Sequence, residues 1–248
     1  MNKILKIALF IIMFLWLMPF FWTIALSIGH YANLLENRLF LFSLRNSIFI
    51  GLLTALLVVS LASWTAFRMT RHNLKLTKVI LLLALIVSIY PQVSVAGPLF
   101  IVFSRISLIN TLSGLILVYT TFSLPLVLWY LYAYFQKIPM TLDEAAAVDG
   151  AGPWTIFIKI ILPQSIPALT VSGVLVFLFV WNEFFLGFVL TIDEHARPLP
   201  TALALFTSRY ETNWGELSAA SVIAAIPVFL LSLYTKKAFM MEKDELEE

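Results

Sequence analysis

Cysteine is absent from this chain of 248 residues. That excludes disulfides, thiol catalysis and any cysteine-ligated metal. His30, His72 and His195 are scattered and suggest no metal site. Charge is scarce as well, at 12% of residues, against about 25% in an ordinary soluble domain. The net charge of +2 is gathered in no basic stripe, which speaks against a nucleic-acid surface. What remains is apolar: 61% of residues are hydrophobic. A soluble fold of this size cannot hide that much apolar surface, because its exterior has to be largely polar. A lipid bilayer is the solvent such a chain fits.

Six apolar stretches stand out, Ile4–Ile28, Asn46–Phe67, Val79–Phe100, Leu112–Phe135, Ser165–Thr191 and Leu217–Tyr234. The first, with Lys3 and Lys6 ahead of it and Ala25-Leu26-Ser27 behind, superficially looks like a signal peptide. Its core from Ile7 to Leu26 exceeds the roughly 7–15 residues of a signal core and matches the roughly 20 that span a bilayer. It reads as an uncleaved first helix. Pro19, Pro91, Pro125, Pro167 and Pro227 fall in the stretches and are expected to mark kinks, since neighbouring helices can satisfy the carbonyls that proline frees.

Basic residues orient the chain. With the N-terminus inside, eleven Lys and Arg face the cytoplasm and five face out, with every lysine inside. The positive-inside rule favours this arrangement, with both ends cytoplasmic. The outer segments Gly29–Arg45 and Asp193–Glu216 are short, and the basic turn Arg68–Lys78 is expected to snorkel toward lipid headgroups. The expected fold is an all-α integral membrane bundle of six helices, one domain over residues 1–248, multi-pass in the cell membrane.

The segment 139–163 differs from the other inner loops. Thr141-Leu142-Asp143-Glu144 has the spacing of a capping box, and acidic residues suit a helix N-terminus. Alanines 145–147 favour helix, and Gly150 is placed to end it. Pro153 suits the first turn of a second helix, and Pro163 is expected to stop that one. The result is helix, glycine turn, helix at the cytoplasmic face. The first helix would present small alanines beside carboxylates, a surface another protein can approach closely. An amphipathic interfacial helix that merely joins two spans would look the same on these grounds.

The spacing of Glu144-Ala145-Ala146, three residues, Gly150, nine residues, then Ile160-x-Leu162-Pro163 resembles the EAA motif of binding-protein-dependent ABC importer permeases. Residue type, spacing and topological position all agree. The resemblance is to the carbohydrate-uptake branch, of the maltose-transporter G-subunit type. It extends to Asn46-Ser47, Pro91, Pro98-Leu99-Phe100, Leu108-Ile109-Asn110-Thr111, Gly114-Leu115-Ile116-Leu117, Pro139, Asp149-Gly150-Ala151 and Trp181-Asn182-Glu183. It departs at Glu183, where the family often has Asp, in the short first outer segment, and in a tail 236–248 without the usual glycine-rich basic ending.

That resemblance implies a type I importer permease with N-in/C-in topology, working with a second homologous permease subunit, a cytoplasmic ABC ATPase dimer and an extracytoplasmic solute-binding protein. ATP and Mg would be bound by the ATPase, and no cofactor by this chain. It implies ATPase coupling through Glu144, Ala145, Ala146, Asp149, Gly150, Leu162 and Pro163, with no catalytic residue here. Arg197, Pro198, Leu199 and Pro200 would face the binding protein; an ordinary interfacial loop anchored by Tyr210 and Trp214 is the blander reading. Ala220, Ser221, Ala224 and Ala225 have the small-xxx-small spacing of helix packing.

Glu183 is the one carboxylate deep in an apolar run. An intramembrane charge costs roughly 2.5–3.5 kcal/mol on insertion scales, so it is expected to face a cavity or a partner. Asn182 and Glu183 belong either on a translocation path or permease seam, or to a hydrogen bond that fixes packing. Three other readings compete. A secondary transporter would need more buried ionisable groups and would leave segment 139–163 unexplained. A membrane enzyme would need paired acids or a nucleophile with its base. An ABC permease for phosphate, peptide or amino acid fits less well with the carbohydrate-branch motifs.

Overall fold

Backbone amides out of reach of water must close their hydrogen bonds within the segment, and the computed structural model is built from helices. It describes residues 3–72, 76–89, 91–206 and 212–247. In chain order these are α1 (Lys3–Ser27), α2 (Tyr31–Glu36), α3 (Arg38–Arg71), α4 (Thr77–Ile89), α5 (Gln92–Arg105), α6 (Leu112–Phe135), α7 (Thr141–Val148), α8 (Pro153–Ile156), a π-helical segment (Phe157–Ile161), α9 (Leu162–Gln164), α10 (Ile166–Asn182), α11 (Phe185–Leu190), α12 (Leu199–Ala204) and α13 (Trp214–Glu247).

The centre is α3 packed on α6 and α10. Its buried faces carry Ile50, Val58, Ala62 and Ala66 from α3, Leu115, Tyr119, Leu131 and Phe135 from α6, and Ala168, Phe177 and Trp181 from α10. Lipid tails are as apolar as leucine, so helices associate in a membrane by close fit rather than by escape from water. Gly51 shows the fit: a Cβ there would lie 2.8 Å from the Phe177 ring. Trp181 stacks on Phe177 at 5.5 Å between centroids and donates its indole N–H to the Ala224 carbonyl at 3.1 Å. That bond ties α10 to α13 at the small-residue stripe. At the periphery α1 packs along α13 and leaves most of its apolar side chains exposed.

Four helices are individually long and apolar enough to cross a bilayer, and six crossings result if each sharply bent pair is one span. The fourth expected span, Leu112–Phe135, matches α6 residue for residue, because Thr111 caps it by accepting from the Gly114 amide at 3.0 Å. The second runs further at both ends than its expected bounds, from Arg38 to Arg71. Its 34 residues make a rod of about 51 Å, longer than the roughly 30 Å hydrocarbon core. The third, expected as one helix over Val79–Phe100, is two: α4 and α5 meet at 92° beside Pro91.

The fifth span is also interrupted: α10 ends at Asn182 and α11 begins at Phe185. Pro167 does not kink it but stands in the first turn of α10, where its missing amide has no partner to lose. Pro19, Pro125 and Pro227 lie inside helices. Lys75, Arg209 and Tyr210, which entered the charge count or the interfacial reading, lie outside the described residues.

Candidate functional site

The loop between α6 and α10 folds as helix, turn, helix. The expected capping box does not form. The chain already coils at Pro139–Met140, with the amides of Asp143 and Glu144 both bonded to the Met140 carbonyl. Thr141 therefore sits one position inside the helix, and Met140 is the N-cap without a side-chain bond. The chain turns at Gly150, as its glycine leads one to expect. Gly150 has φ +82°, its amide reaches the Ala147 carbonyl at 3.0 Å, and the Ala151 amide reaches Ala146 at 3.0 Å. Those two bonds are the Schellman closure.

The second arm starts with Pro153 in its first turn and widens into the π segment before Pro163. A proline has no amide to give the carbonyl four residues back, and its ring crowds that carbonyl; the extra residue of a π turn relieves both. Pro163 does not stop this arm. It continues to Gln164 and bends by 79° into α10 at Ser165, whose hydroxyl donates to the Ile161 carbonyl at 2.7 Å.

On α7 and the turn that follows it, Glu144, Ala145, Asp149 and Gly150 are exposed, whereas Ala146 is half-buried and packs inward. Leu162 is half-buried and Pro163 exposed on the other arm. Val148, which sequence reasoning passed over, is 88% exposed beside Gly150. An isolated bare valine at a turn says little, but here it completes a smooth face with Ala145.

Both arms are fastened to the same end of α3. Arg71 grips Asp143 with two parallel bonds, Nε to Oδ2 at 2.7 Å and Nη2 to Oδ1 at 3.1 Å, the strong bidentate geometry. Its remaining donors reach the carbonyls of Phe135 and Ile138. The two side chains are only 10% and 15% exposed. Arg71 thus does not snorkel to headgroups as expected of the turn Arg68–Lys78: a carboxylate and the open C-terminus of α6 give it better partners within the protein. The second arm meets α3 through aromatic rings, Trp64 with Trp154 at 4.8 Å and with Phe157 at 5.1 Å.

At the opposite end of α3, Asn46 and Ser47 hold the segment before α12. The Asn46 amide donates to the carbonyls of Glu194, His195 and Arg197 at 3.1–3.2 Å, and the Ser47 hydroxyl accepts from the Leu199 amide at 2.7 Å. Pro198 and Leu199 are buried and Arg197 and Pro200 half-buried. Of the four residues expected to meet a binding protein, the proline–leucine pair faces inward in this conformation. The Arg197 guanidinium bonds the Ile192 carbonyl. The side chains that stand open are Ile192, Asp193 and His195.

Asn110 pins the same region: its side chain accepts from the amides of Ile192 and Asp193 and donates to the Asp193 carboxylate at 2.9 Å. That bond, with the His195 amide bond, holds the Asp193 pKa below the usual carboxylate value. A lowered folded-state pKa adds stability that is complete above the unfolded value and is lost as pH falls through the folded one. Asp193→Asn is therefore expected to lower the melting temperature slightly at neutral pH, with the difference vanishing in acid below the ordinary carboxylate range. A difference that instead grew in acid would contradict the sign.

Glu183 occupies the break between α10 and α11. It is 6% exposed. Its carboxyl oxygens accept from the Tyr119 hydroxyl at 2.7 Å and from the amides of Leu186 and Gly187 at 2.8 and 3.1 Å. Asn182 is exposed, bonded back to the Leu178 carbonyl. It borders an open groove with Gln92, Phe179 and Phe184. The groove adjoins an apolar cavity of about 370 Å³ between α4, α6 and α10. The Ser123 hydroxyl lies there, buried and without a hydrogen-bond partner.

This helical bundle is a fold shared with membrane chains of ABC transporters. The fold is similar to a bacterial ABC transporter chain involved in import of the acidic polysaccharide alginate, with TM-score 0.78, 20% identity and 94% of both chains covered. It is also similar to the MetNI methionine ABC transporter in inward-facing conformations, with TM-score 0.62, 16% identity, and 81% and 92% covered. Residues 59–238 match the family of binding-protein-dependent transport system inner membrane components, and the chain belongs to that family.

Among curated relatives, it is 36% identical to the trehalose/maltose transport system permease protein MalG of Thermococcus litoralis, over 89% of this chain and 87% of that one. It is likewise 36% identical to the trehalose transport system permease protein SugB of Mycobacterium tuberculosis, over 84% and 76%. The chain is an ABC-transporter permease subunit of the membrane.

Proposed function

We propose that this chain is one of two permease halves in an ATP-driven importer of a sugar or oligosaccharide, with both termini cytoplasmic. The observation that carries the coupling half of this reading is the exposed face Glu144, Ala145, Val148, Asp149 and Gly150 on a loop rigidly clamped to α3. A surface of small side chains and carboxylates, held stiffly, suits docking into a cleft on a cytoplasmic ATPase. ATP and Mg belong to that subunit. Closure of the ATPase dimer would swing the loop, and the bundle with it, between inward-open and outward-open states.

The opposite end of α3 would meet a solute-binding protein through Ile192, Asp193, His195 and the half-buried Arg197 and Pro200, with Pro198 and Leu199 supporting that surface from behind. The groove beside Asn182 and Gln92 supplies this chain's share of the pathway. Sugar is favoured as substrate because relatives at 36% identity are named for trehalose and maltose transport. Purification from membranes should bring down an ATPase and a second permease. In liposomes, ATP hydrolysis should rise several-fold on adding binding protein loaded with a disaccharide. A complex without any ATPase would refute the proposal.

A further inference from the structure

We propose that α3 relays the state of the outer segment to the coupling loop, with Asn46 and Arg71 as its two positioning residues. The inference rests on the importer reading above, which puts a binding protein at one end of α3 and an ATPase at the other. Asn46 and Arg71 stand 25 positions apart on one helix, which is about 38 Å. No proline interrupts α3. Its one glycine, Gly51, is covered by Phe177. The helix is packed against α6 and α10, so axial displacement at one end is delivered at the other.

What each end holds is specific. At the outer end a single amide gathers three carbonyls of an irregular segment, and Ser47 takes the Leu199 amide. Those backbone groups depend on α3 for their hydrogen bonds, so the shape of 194–199 and the position of α3 change together. At the inner end Arg71 takes the Asp143 carboxylate and the carbonyls of Phe135 and Ile138, fixing α7 to α3 and to the end of α6. A partner that draws the outer segment away must move α3 or break the Asn46 bonds. By linkage, whatever the factor by which docking at the outer face changes nucleotide affinity on the ATPase, bound nucleotide must change docking affinity by the same factor.

The test uses the complete complex in liposomes, reading ATP hydrolysis with and without sugar-loaded binding protein. For Asn46→Ala, basal hydrolysis within twofold of the parent is expected, with stimulation reduced at least fivefold. Arg71→Ala should lose stimulation similarly, Arg71→Lys should recover part of it, and the double variant should be no worse than either single one. Stimulation intact in an assembled Asn46→Ala complex, or losses that multiply in the double variant, would overturn the relay while leaving the importer reading in place. Absence of stimulation in the parent complex would overturn that reading and the relay with it.

Should the Asn46 variants fail to assemble, the parent itself supplies the measurement, because the cysteine-free chain accepts paired spin labels at the exposed positions His195 and Lys159. Their separation is expected to stay constant through the nucleotide cycle. A change of one helical turn, about 5 Å, would show that the two loops move independently.

Discussion

Glu183→Ala is expected to lose a large part of the folded stability of this subunit. Removing the carboxyl strands three donors at once, the Tyr119 hydroxyl and the amides of Leu186 and Gly187. Each buried donor without a partner costs about 1–3 kcal/mol, and no lipid tail can substitute. A loss of about 3–9 kcal/mol is a large share of total stabilities of about 5–15 kcal/mol and corresponds to a fall in melting temperature on the order of 10 °C or more. Tyr119→Phe should cost much less, because the carboxyl keeps both amides and only one donor disappears. Glu183→Gln should fall between the two: its carbonyl can still take an amide, and the phenol can turn to accept from its NH2. Thermal unfolding in detergent, followed by monodispersity on gel filtration, ranks the three. Should Glu183→Ala melt with the parent, the capping account of the broken span would be wrong.

The break that Glu183 caps was not legible in the sequence, and the reason is physical. No proline or glycine lies between Asn182 and Phe185, so nothing local predicts an end to α10. The end is made by a carboxyl that can serve the first amides of α11 because Tyr119, far away in the chain, supplies its other bond. The loop between α6 and α10 shows the contrary case. Glu144, Ala145 and Asp149 could be read because their side chains are turned outward, and Gly150 because its backbone conformation admits few other residues. α6 was legible to the residue because Thr111 and the apolar run both act within a few positions.

Arg71 and Asp143 illustrate what pattern rules miss. Each had a sound local assignment, a basic residue at the headgroups and an acid in a helix first turn. Asp143 does lie in the first turn of α7, but the bonds that satisfy the pair come from each other, 72 positions away. Asn46-Ser47 was visible as a resemblance and nothing more, since a polar pair at the mouth of a span has no spacing that names its partners. The same holds for Asn110, whose left-handed φ of +57° and four contacts with 190–193 belong to tertiary structure. Local chemistry thus marked side chains that stand exposed, and long-range bonds hid what positions them.

Gly150→Val is expected to cut uptake at least tenfold while ATP hydrolysis continues, an uncoupled phenotype. The φ of +82° is the left-handed region, which costs an L-residue about 1–2 kcal/mol and a β-branched one more. Space is not the obstacle, for a Cβ at 150 would meet nothing within 4 Å in this chain. The cost lies in the turn itself. To relieve it, the valine variant must give up the closure that satisfies the carbonyls of Ala146 and Ala147, and α7 then swings relative to α8. Arg71 still holds Asp143 near the start of α7, so the bundle keeps its fold while the far end of α7, with Val148 and Asp149, pivots and is re-aimed. Gly150→Asn should retain at least half the uptake, because asparagine tolerates left-handed backbone far better, and Gly150→Ala should lie between. Uptake of labelled sugar and ATP turnover, measured on the same liposomes, separate coupling from assembly. Full uptake by Gly150→Val would mean that the angle between the two arms does not matter to the ATPase, and the lever picture of this loop would have to be abandoned.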